Sequence, residues 1–179
     1  YSMYAYEEEI RQGFITIQGG HRVGIAGKVT LENSKIKTIQ YISFLNIRIA
    51  HQIKGCALAV MKFLYSDGQF LHTLIISPPG CGKTTLLRDI VYQISQNKSG
   101  ISVALVDERS EIAACDMGIP QNDLGIRCDV LDGCPKSEGM MLMLRTMSPK
   151  IMAVDEIGSS ADIEAVTNVI HGGCKIIAT

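Results

Sequence analysis

Two patterns of apolar and polar residues divide the chain. Between residues 14 and 50, short β-rich runs are separated by turn signals, of which the glycine pair at 19–20 and the segment at 32–34 are the clearest. From about residue 55 onward, short apolar runs typical of buried strands alternate with stretches of helical periodicity. This alternation predicts an α/β core with a parallel sheet covered on both faces, preceded by a small β-rich subdomain.

The predicted elements follow the chain in a simple order. Residues 2–11 are typical of the end of a helix, which Gly13 closes. The last predicted helix begins with Ser159 and Asp162 at capping-box spacing. The other elements are strands at 72–77, 101–108, 150–156 and 175–179 and helices at 55–66, 83–95, 138–147 and 159–173. We therefore predict that residues 1–54 belong to the N-terminal subdomain and residues 55–179 to the core.

Composition and charge limit the kinds of molecule that the chain is expected to bind. The chain has 179 residues, 46% of them apolar and 20% charged, with a net charge of −1, which is ordinary for a globular protein. It has no tryptophan and only 6% aromatic residues, so a basic, stacking groove for nucleic acid is not expected. The six cysteines form no C-x-x-C pair and are expected to be free thiols. Because the chain opens on Tyr1 and ends directly after an apolar run, we expect it to be part of a longer protein.

The segment "SPPGCGKTT", residues 77–85, is typical of a phosphate-binding loop. It fits G-x-x-x-x-G-K-[ST] at every fixed position except the first, where Ser77 replaces glycine. Glycines let backbone amides approach a phosphate, the lysine neutralises its charge, and the following helix directs its positive end toward it. The residues expected to hold the nucleotide are Pro79, Gly80, Cys81, Gly82, Lys83, Thr84 and Thr85.

Two adjacent acids end the apolar run "IMAVDE", 72 positions after Lys83. Ligands of open α/β sheets bind at the carboxyl ends of the strands, so these acids are expected beside the loop. Asp155 is expected to hold Mg²⁺ together with Thr84, and Glu156 to polarise the attacking water. The alternative is a solvated pair at a strand end.

A further acidic segment, "LVDERSE", ends the strand predicted at residues 101–108. Glu108 is a second candidate catalytic carboxylate, which would orient the water or the metal. A purely structural ion cluster with Arg109 is the competing interpretation.

With these residues placed, the chain resembles the stage III sporulation protein AA family of endospore-forming bacteria. It is similar, more distantly, to the ATPases of type II and type IV secretion systems and to pilus motors. The resemblance covers nearly all of the chain, and its specific segments lie outside the phosphate loop. They are "EEEIRQGFITIQGGHRVGIAGKV", "ISFLNIRIAHQIKG", "VDERSEIA" and "LDGCPKSEGMMLMLRTMSP".

The resemblance implies a RecA-like P-loop core that hydrolyses ATP with Mg²⁺ as part of a ring, with a hexamer as the expected assembly. It implies a role in energising a secretion-like channel of membrane-embedded proteins, from the mother-cell cytoplasm. "IMAVDE" then matches Walker B, and "VALVDE" matches an acidic box that supports Glu108. "IIAT" matches the strand that leads to that family's histidine box, and His171 is not its equivalent. The arginines considered for a neighbour's site are Arg22, Arg48, Arg127 and Arg145.

Two other functions remain open at this point. One is a RecA-like ATPase that depends on nucleic acid, which the absence of a basic run disfavours. The other is a nucleotide-gated ring scaffold with slow turnover, which Glu156 disfavours because mere binding requires no catalytic carboxylate. ATPase rates with and without single-stranded DNA would test the first, and turnover against ring occupancy would test the second.

Overall fold

The computed structural model describes residues 6–96 and 100–179. The described residues form two compact units. One contains the chain up to His51 together with Ala114–Asn122, and the other contains Gln52–Ala113 together with Asp123–Thr179. The division expected between residues 54 and 55 stays a prediction.

The first unit is built on a three-stranded antiparallel sheet in the order β1-β2-β3. Its elements are α1 (Glu7–Gln12), β1 (Phe14–Ile17), β2 (His21–Glu32) and β3 (Lys35–Arg48). Gly13 ends α1 in the left-handed conformation, with φ of 87° and an N–H that donates to carbonyls of the last turn. Asn33 and Ser34 have positive φ between β2 and β3, as a tight hairpin turn requires. The predicted β-rich part is confirmed, while the first five residues lie outside the described ones.

The second unit contains a five-stranded sheet in the order β6-β10-β9-β7-β8, and all its paired strands are parallel. Its helices are α2 (Leu58–Met61), α3 (Lys83–Gln96), α4 (Lys136–Thr146) and α5 (Ser160–His171). Its strands are β4 (Tyr65–Ser66), β5 (Gln69–Phe70), β6 (Thr73–Leu74), β7 (Val103–Asp107), β8 (Cys128–Asp132), β9 (Ile151–Val154) and β10 (Lys175–Ala178). The parallel α/β core is therefore confirmed.

The core of this unit lies on both faces of β7, β9 and β10. Helices α4 and α5 pack on one face, where every second strand residue joins one buried apolar cluster. Helix α3 contacts β7 and β8, and its buried residues include Leu87, Ile90 and Ile94. Strands β7 and β9 are buried along their whole length, as expected for parallel strands between two helical layers. The capping box of α5 is present, with Ser159 and Asp162 bonded reciprocally to each other's backbone amides.

Three sequence-based expectations differ from the structure. Of the helix predicted at 55–66, only Leu58–Met61 are helical. Asp67 and Gly68, both with positive φ, turn the chain into the β4–β5 hairpin and end the helix early. The strand predicted at 72–77 is a two-residue edge strand rather than a buried one, and Ile76 is 82% exposed. Strand β8 was not predicted, since two of its five residues are aspartates and its longest apolar run is the pair Val130-Leu131.

None of the helices in residues 6–96 and 100–179 combines the length and the apolar character that a bilayer crossing requires.

Candidate nucleotide-binding site

The phosphate-loop segment connects β6 to α3, as the motif requires. Gly80 and Gly82 have φ of 76° and 85°, a conformation that other residues adopt only with strain. A Cβ atom at either glycine would meet no atom within 4 Å, so backbone conformation rather than crowding demands glycine here. The Leu86 N–H donates to the Gly82 carbonyl at 2.9 Å and starts the helix.

Lys83 is the first residue of α3, and its ammonium group reaches back across the loop. Its Nζ donates to the carbonyls of Ser77 at 3.0 Å and Pro78 at 3.2 Å. Ser77 contributes only its main-chain carbonyl to the contact with Lys83, and any residue at this position would supply that group. The departure from the glycine pattern at Ser77 therefore leaves this contact of the loop lysine intact.

Thr84 and Asp155 meet although 71 positions separate them. The Thr84 hydroxyl donates to Asp155 Oδ2 at 2.9 Å, which joins the first turn of α3 to the end of β9. Asp155 Oδ1 accepts the Glu156 N–H at 3.0 Å and the hydroxyl of Thr179. A hydroxyl and a carboxylate are oxygen donors of the kind that Mg²⁺ prefers, so this pair fits the metal.

Thr179 is a site residue that the sequence analysis missed. It follows β10, which lies between β6 and β9, and its Oγ1 also accepts the Glu156 N–H at 3.0 Å. A polar residue directly after the buried run of β10 was the available signal. Thr179 fixes the orientation of the Asp155 carboxylate.

Glu156 has left-handed backbone, with φ of 48°, and its carboxylate faces solvent. Its Oε2 lies 2.7 Å from Arg109 Nη1, and the two side chains are 53% and 59% exposed. An ion pair with this exposure contributes about 0.2–1 kcal/mol, so water and ligands readily compete for the Glu156 carboxylate.

Glu108 has a different partner and a different environment. Its Oε2 accepts a hydrogen bond from Lys136 Nζ, and the side chains of Glu108 and Lys136 are 38% and 12% exposed. An ion cluster of Glu108 with Arg109 was the competing interpretation of the sequence, whereas the structure pairs Glu108 with Lys136 and Arg109 with Glu156.

A cleft of about 670 Å³ brings the loop lysine and both candidate carboxylates together. The residues that line it are Lys83, Glu108, Arg109, Pro135, Lys136, Ser137, Glu156, Ile157, Gly158, Ser159, Asp162 and Thr179. Thr84 and Thr85 are half-buried in the first turn of α3, while the predicted loop residues Pro79–Gly82 are exposed and lie outside this lining. Arg109 and Lys136 are paired with carboxylates of the cleft, whereas Lys83 bonds to main-chain carbonyls, so Lys83 is the cation of the lining most available to an anionic ligand.

Asp107, the last residue of β7, has a structural role next to this cleft. It is buried, and its carboxylate accepts the amides of Glu111, Ile112 and Ala113 at 2.8 to 3.0 Å. Burial raises the pKa of the Asp107 carboxyl, and these amide bonds oppose the rise. Arg88 of α3 donates to the carbonyls of Glu111 and Ile112, so the turn after Glu108 is held from both sides.

Alkylation of Cys81 is expected to be slowed by bound ATP. Cys81 is an exposed thiol in the middle of the loop, and a nucleotide seated on the loop would cover it. Labelling rates measured by mass spectrometry with and without ATP and Mg²⁺ test this, with Cys81→Ser as the control that identifies the labelled site. Equal rates at Cys81 in both conditions would contradict nucleotide binding at this loop.

The fold of the chain is similar to that of a solved ATPase. The chain superposes on the ATPase DotB of Legionella pneumophila with a TM-score of 0.61 and 16% sequence identity, covering 89% of this chain and 42% of that one. The chain thus shares the α/β fold of this ATPase, with a five-stranded parallel sheet that an antiparallel β-rich part precedes, as the sequence predicted.

The chain belongs to the family described as sporulation stage III, protein AA, whose family model matches residues 1–179. Stage III sporulation protein AA of Bacillus subtilis is 50% identical over 182 residues, which cover 100% of this chain and 59% of that protein. The chain therefore spans about three fifths of this relative. A shorter match, 36% identical over 67 residues, links 36% of the chain to 11% of the transcription termination factor Rho of Mycobacterium tuberculosis. The predicted family resemblance is confirmed.

Proposed function

We propose that this protein hydrolyses ATP with Mg²⁺ and uses the energy to drive a secretion-like channel during endospore formation. The observation that carries the proposal is the bond between Thr84 and Asp155, next to a cleft that Lys83 lines with two carboxylates. Membership of the sporulation stage III, protein AA family supports the setting, and the likeness to an ATPase fold supports the reaction class.

The residues have separate roles in this proposal. The loop amides from Pro79 to Gly82 and the ammonium of Lys83 would hold the β- and γ-phosphates. Thr84 and Asp155 would hold Mg²⁺, which neutralises charge on the phosphates when bound. Glu156 would polarise the attacking water, and Glu108 would orient the water or the metal from the neighbouring strand.

The complete protein would act as a ring, with six copies as the expected number. In that ring an arginine from a neighbouring copy would complete each site. The ring would lie on the mother-cell side, peripheral to a channel of membrane-embedded proteins, and would need no nucleic acid. These statements rest on the family resemblance and on the energetic demand of moving a cargo across a membrane.

Sedimentation of the complete protein, with and without ATP and Mg²⁺, tests the assembly. We expect the mass to shift to that of a closed ring when both are present, and phosphate release to rise with ring occupancy. A monomer that hydrolyses ATP at full rate would contradict the ring. A ring that forms with ATP and releases almost no phosphate would favour the scaffold with slow turnover.

The partial match to Rho favours a second candidate function. Since transcription termination takes place on nucleic acid, the alternative is a RecA-like ATPase that nucleic acid stimulates. Phosphate release measured with and without single-stranded RNA and DNA separates the two. A rate unchanged by either polymer supports the channel motor, and a stimulation of tenfold or more would support the alternative.

A further inference from the structure

Lys136 is a cation of the cleft that the Walker motifs do not include. It is the first residue of α4 and follows the loop after β8. Its ammonium bonds to Glu108, and both residues line the cleft with Lys83 and Glu156. Its side chain is much less exposed than that of Arg109, the cation beside Glu156.

The low exposure of the Lys136 side chain restricts the position of the Glu108 carboxylate. A lysine ammonium withdrawn from water needs a charged or hydrogen-bonding partner to compensate for lost hydration. Asp162, also in the cleft, already accepts the amides of Gly158 and Ser159 as part of the α5 capping box. The charge of Asp162 also acts on Lys136, but the direct ion pair of the Lys136 ammonium is with Glu108, which restricts where the Glu108 carboxylate can lie.

The two candidate catalytic carboxylates of the cleft, Glu108 and Glu156, thus differ in how firmly their ion-pair partners hold them. The partner of Glu156 is exposed to water, so the Glu156 carboxylate can leave it at little cost. The partner of Glu108 is largely buried at the start of a helix that packs on β7. Glu108 is itself the residue directly after β7, so this ion pair joins the carboxyl end of β7 to the first turn of α4.

We propose that Lys136 is a positioning residue for Glu108, which it holds toward the phosphate region of the cleft. The proposal rests on the proposed ATPase function and extends it to a residue outside the Walker motifs. Lys136 acts through Glu108, so its removal cannot cost more turnover than removal of the Glu108 charge.

Steady-state kinetics of the complete protein test this with Lys136→Met, which keeps the length of the side chain and removes the charge. We expect kcat for ATP to fall about 5- to 10-fold and KM to change less than about threefold, because binding uses the loop. Lys136→Arg, which keeps the charge, should restore kcat to within about threefold of wild type. Lys150→Met, at an exposed lysine before the amino end of β9, is the matched control and should behave as wild type.

The double variant Glu108→Gln/Lys136→Met separates positioning from a structural role. If Lys136 acts through Glu108, the double variant should be no slower than Glu108→Gln alone, within about twofold. Losses that multiply in the double variant would overturn the proposal. A kcat of Lys136→Met within twofold of wild type would also overturn it. The same holds for a Lys136→Met variant in which kcat, apparent affinity for ATP and melting temperature all fall together.

Failure of the proposed function gives a different result. A wild-type protein that binds ATP and releases no phosphate would overturn the ATPase function, and this inference with it. Wild-type turnover that Lys136→Met leaves unchanged would overturn the inference alone. If Lys136→Met does not fold, Lys136→Gln, whose amide can still donate to Glu108, should show a kcat loss between those expected for the Met and Arg variants. A Lys136→Gln kcat equal to that of wild type would then overturn the inference.

Discussion

Glu156→Gln is expected to lower ATP turnover by about 10²-fold or more while leaving ATP binding intact or tighter, as for loss of a general base. The amide keeps the shape and hydrogen-bonding reach of the carboxylate and removes the charge that polarises water. The Glu156 carboxylate lines the cleft with Lys83, and its exposed ion pair with Arg109 leaves it available to a ligand. Stopped-flow binding of a fluorescent ATP analogue and steady-state phosphate release measure the two effects separately.

Glu108→Gln provides the matched comparison, since it makes the same chemical change at the neighbouring strand end. We expect a smaller loss, about tenfold, because Glu108 orients the water or the metal rather than taking the proton. Wild-type turnover in Glu156→Gln would overturn its catalytic assignment. If Glu108→Gln were the more damaging of the two, the roles of the two carboxylates would have to be exchanged.

Lys83→Ala is expected to abolish tight nucleotide binding. Lys83 is the cation built into the loop, and its ammonium already spans the carbonyls of Ser77 and Pro78. Loss of this charge should weaken ATP binding by about 10²-fold, about 2.8 kcal/mol. Titration calorimetry of the complete protein with ATP and Mg²⁺ measures the affinity directly.

Lys150→Ala is the control for this experiment, because Lys150 precedes the amino end of β9, whereas ligands of open α/β sheets bind at the carboxyl ends. Its ATP affinity should equal that of the wild type. An affinity of Lys83→Ala within about threefold of wild type would refute the Walker A assignment.

The sequence predicted much of this site because its signals are local or follow from one rule of topology. The glycines at 80 and 82 and the capping box of α5 depend on backbone conformation, which neighbouring residues determine. The meeting of Thr84 with Asp155 depends on long-range pairing, yet parallel strands place their carboxyl ends along one edge. That single rule placed residues far apart in sequence at one cleft.

The position of Lys136 beside Glu108 could not be predicted, because it depends on strand β8, whose sequence shows no clear strand pattern. Strand β8 is only partly buried, and two of its five residues are aspartates, so its sequence resembles a loop. Without β8, the residue that begins α4 cannot be placed beside β7. The helix was also expected to begin at residue 138, which left Lys136 outside it.

Before the β4–β5 hairpin, the helical periodicity of the sequence conflicts with the turn that follows it. Residues 55–66 have helical periodicity, yet only Leu58–Met61 are helical. The turn at Asp67 and Gly68 pairs Tyr65 with Phe70, and their rings meet edge to face with centroids 5.4 Å apart. Turn chemistry and an aromatic contact therefore outweigh the periodicity at this end of the segment.

Mg²⁺-dependent release of phosphate from ATP by the complete protein, compared with that of Lys83→Ala under the same conditions, tests whether this cleft is an ATPase site. We expect steady release by the wild type, loss of release when Mg²⁺ is chelated, and no release above background by Lys83→Ala. Equal phosphate release by wild type and Lys83→Ala, or none by a wild type that forms its ring, would contradict the assignment of this cleft as an ATPase site.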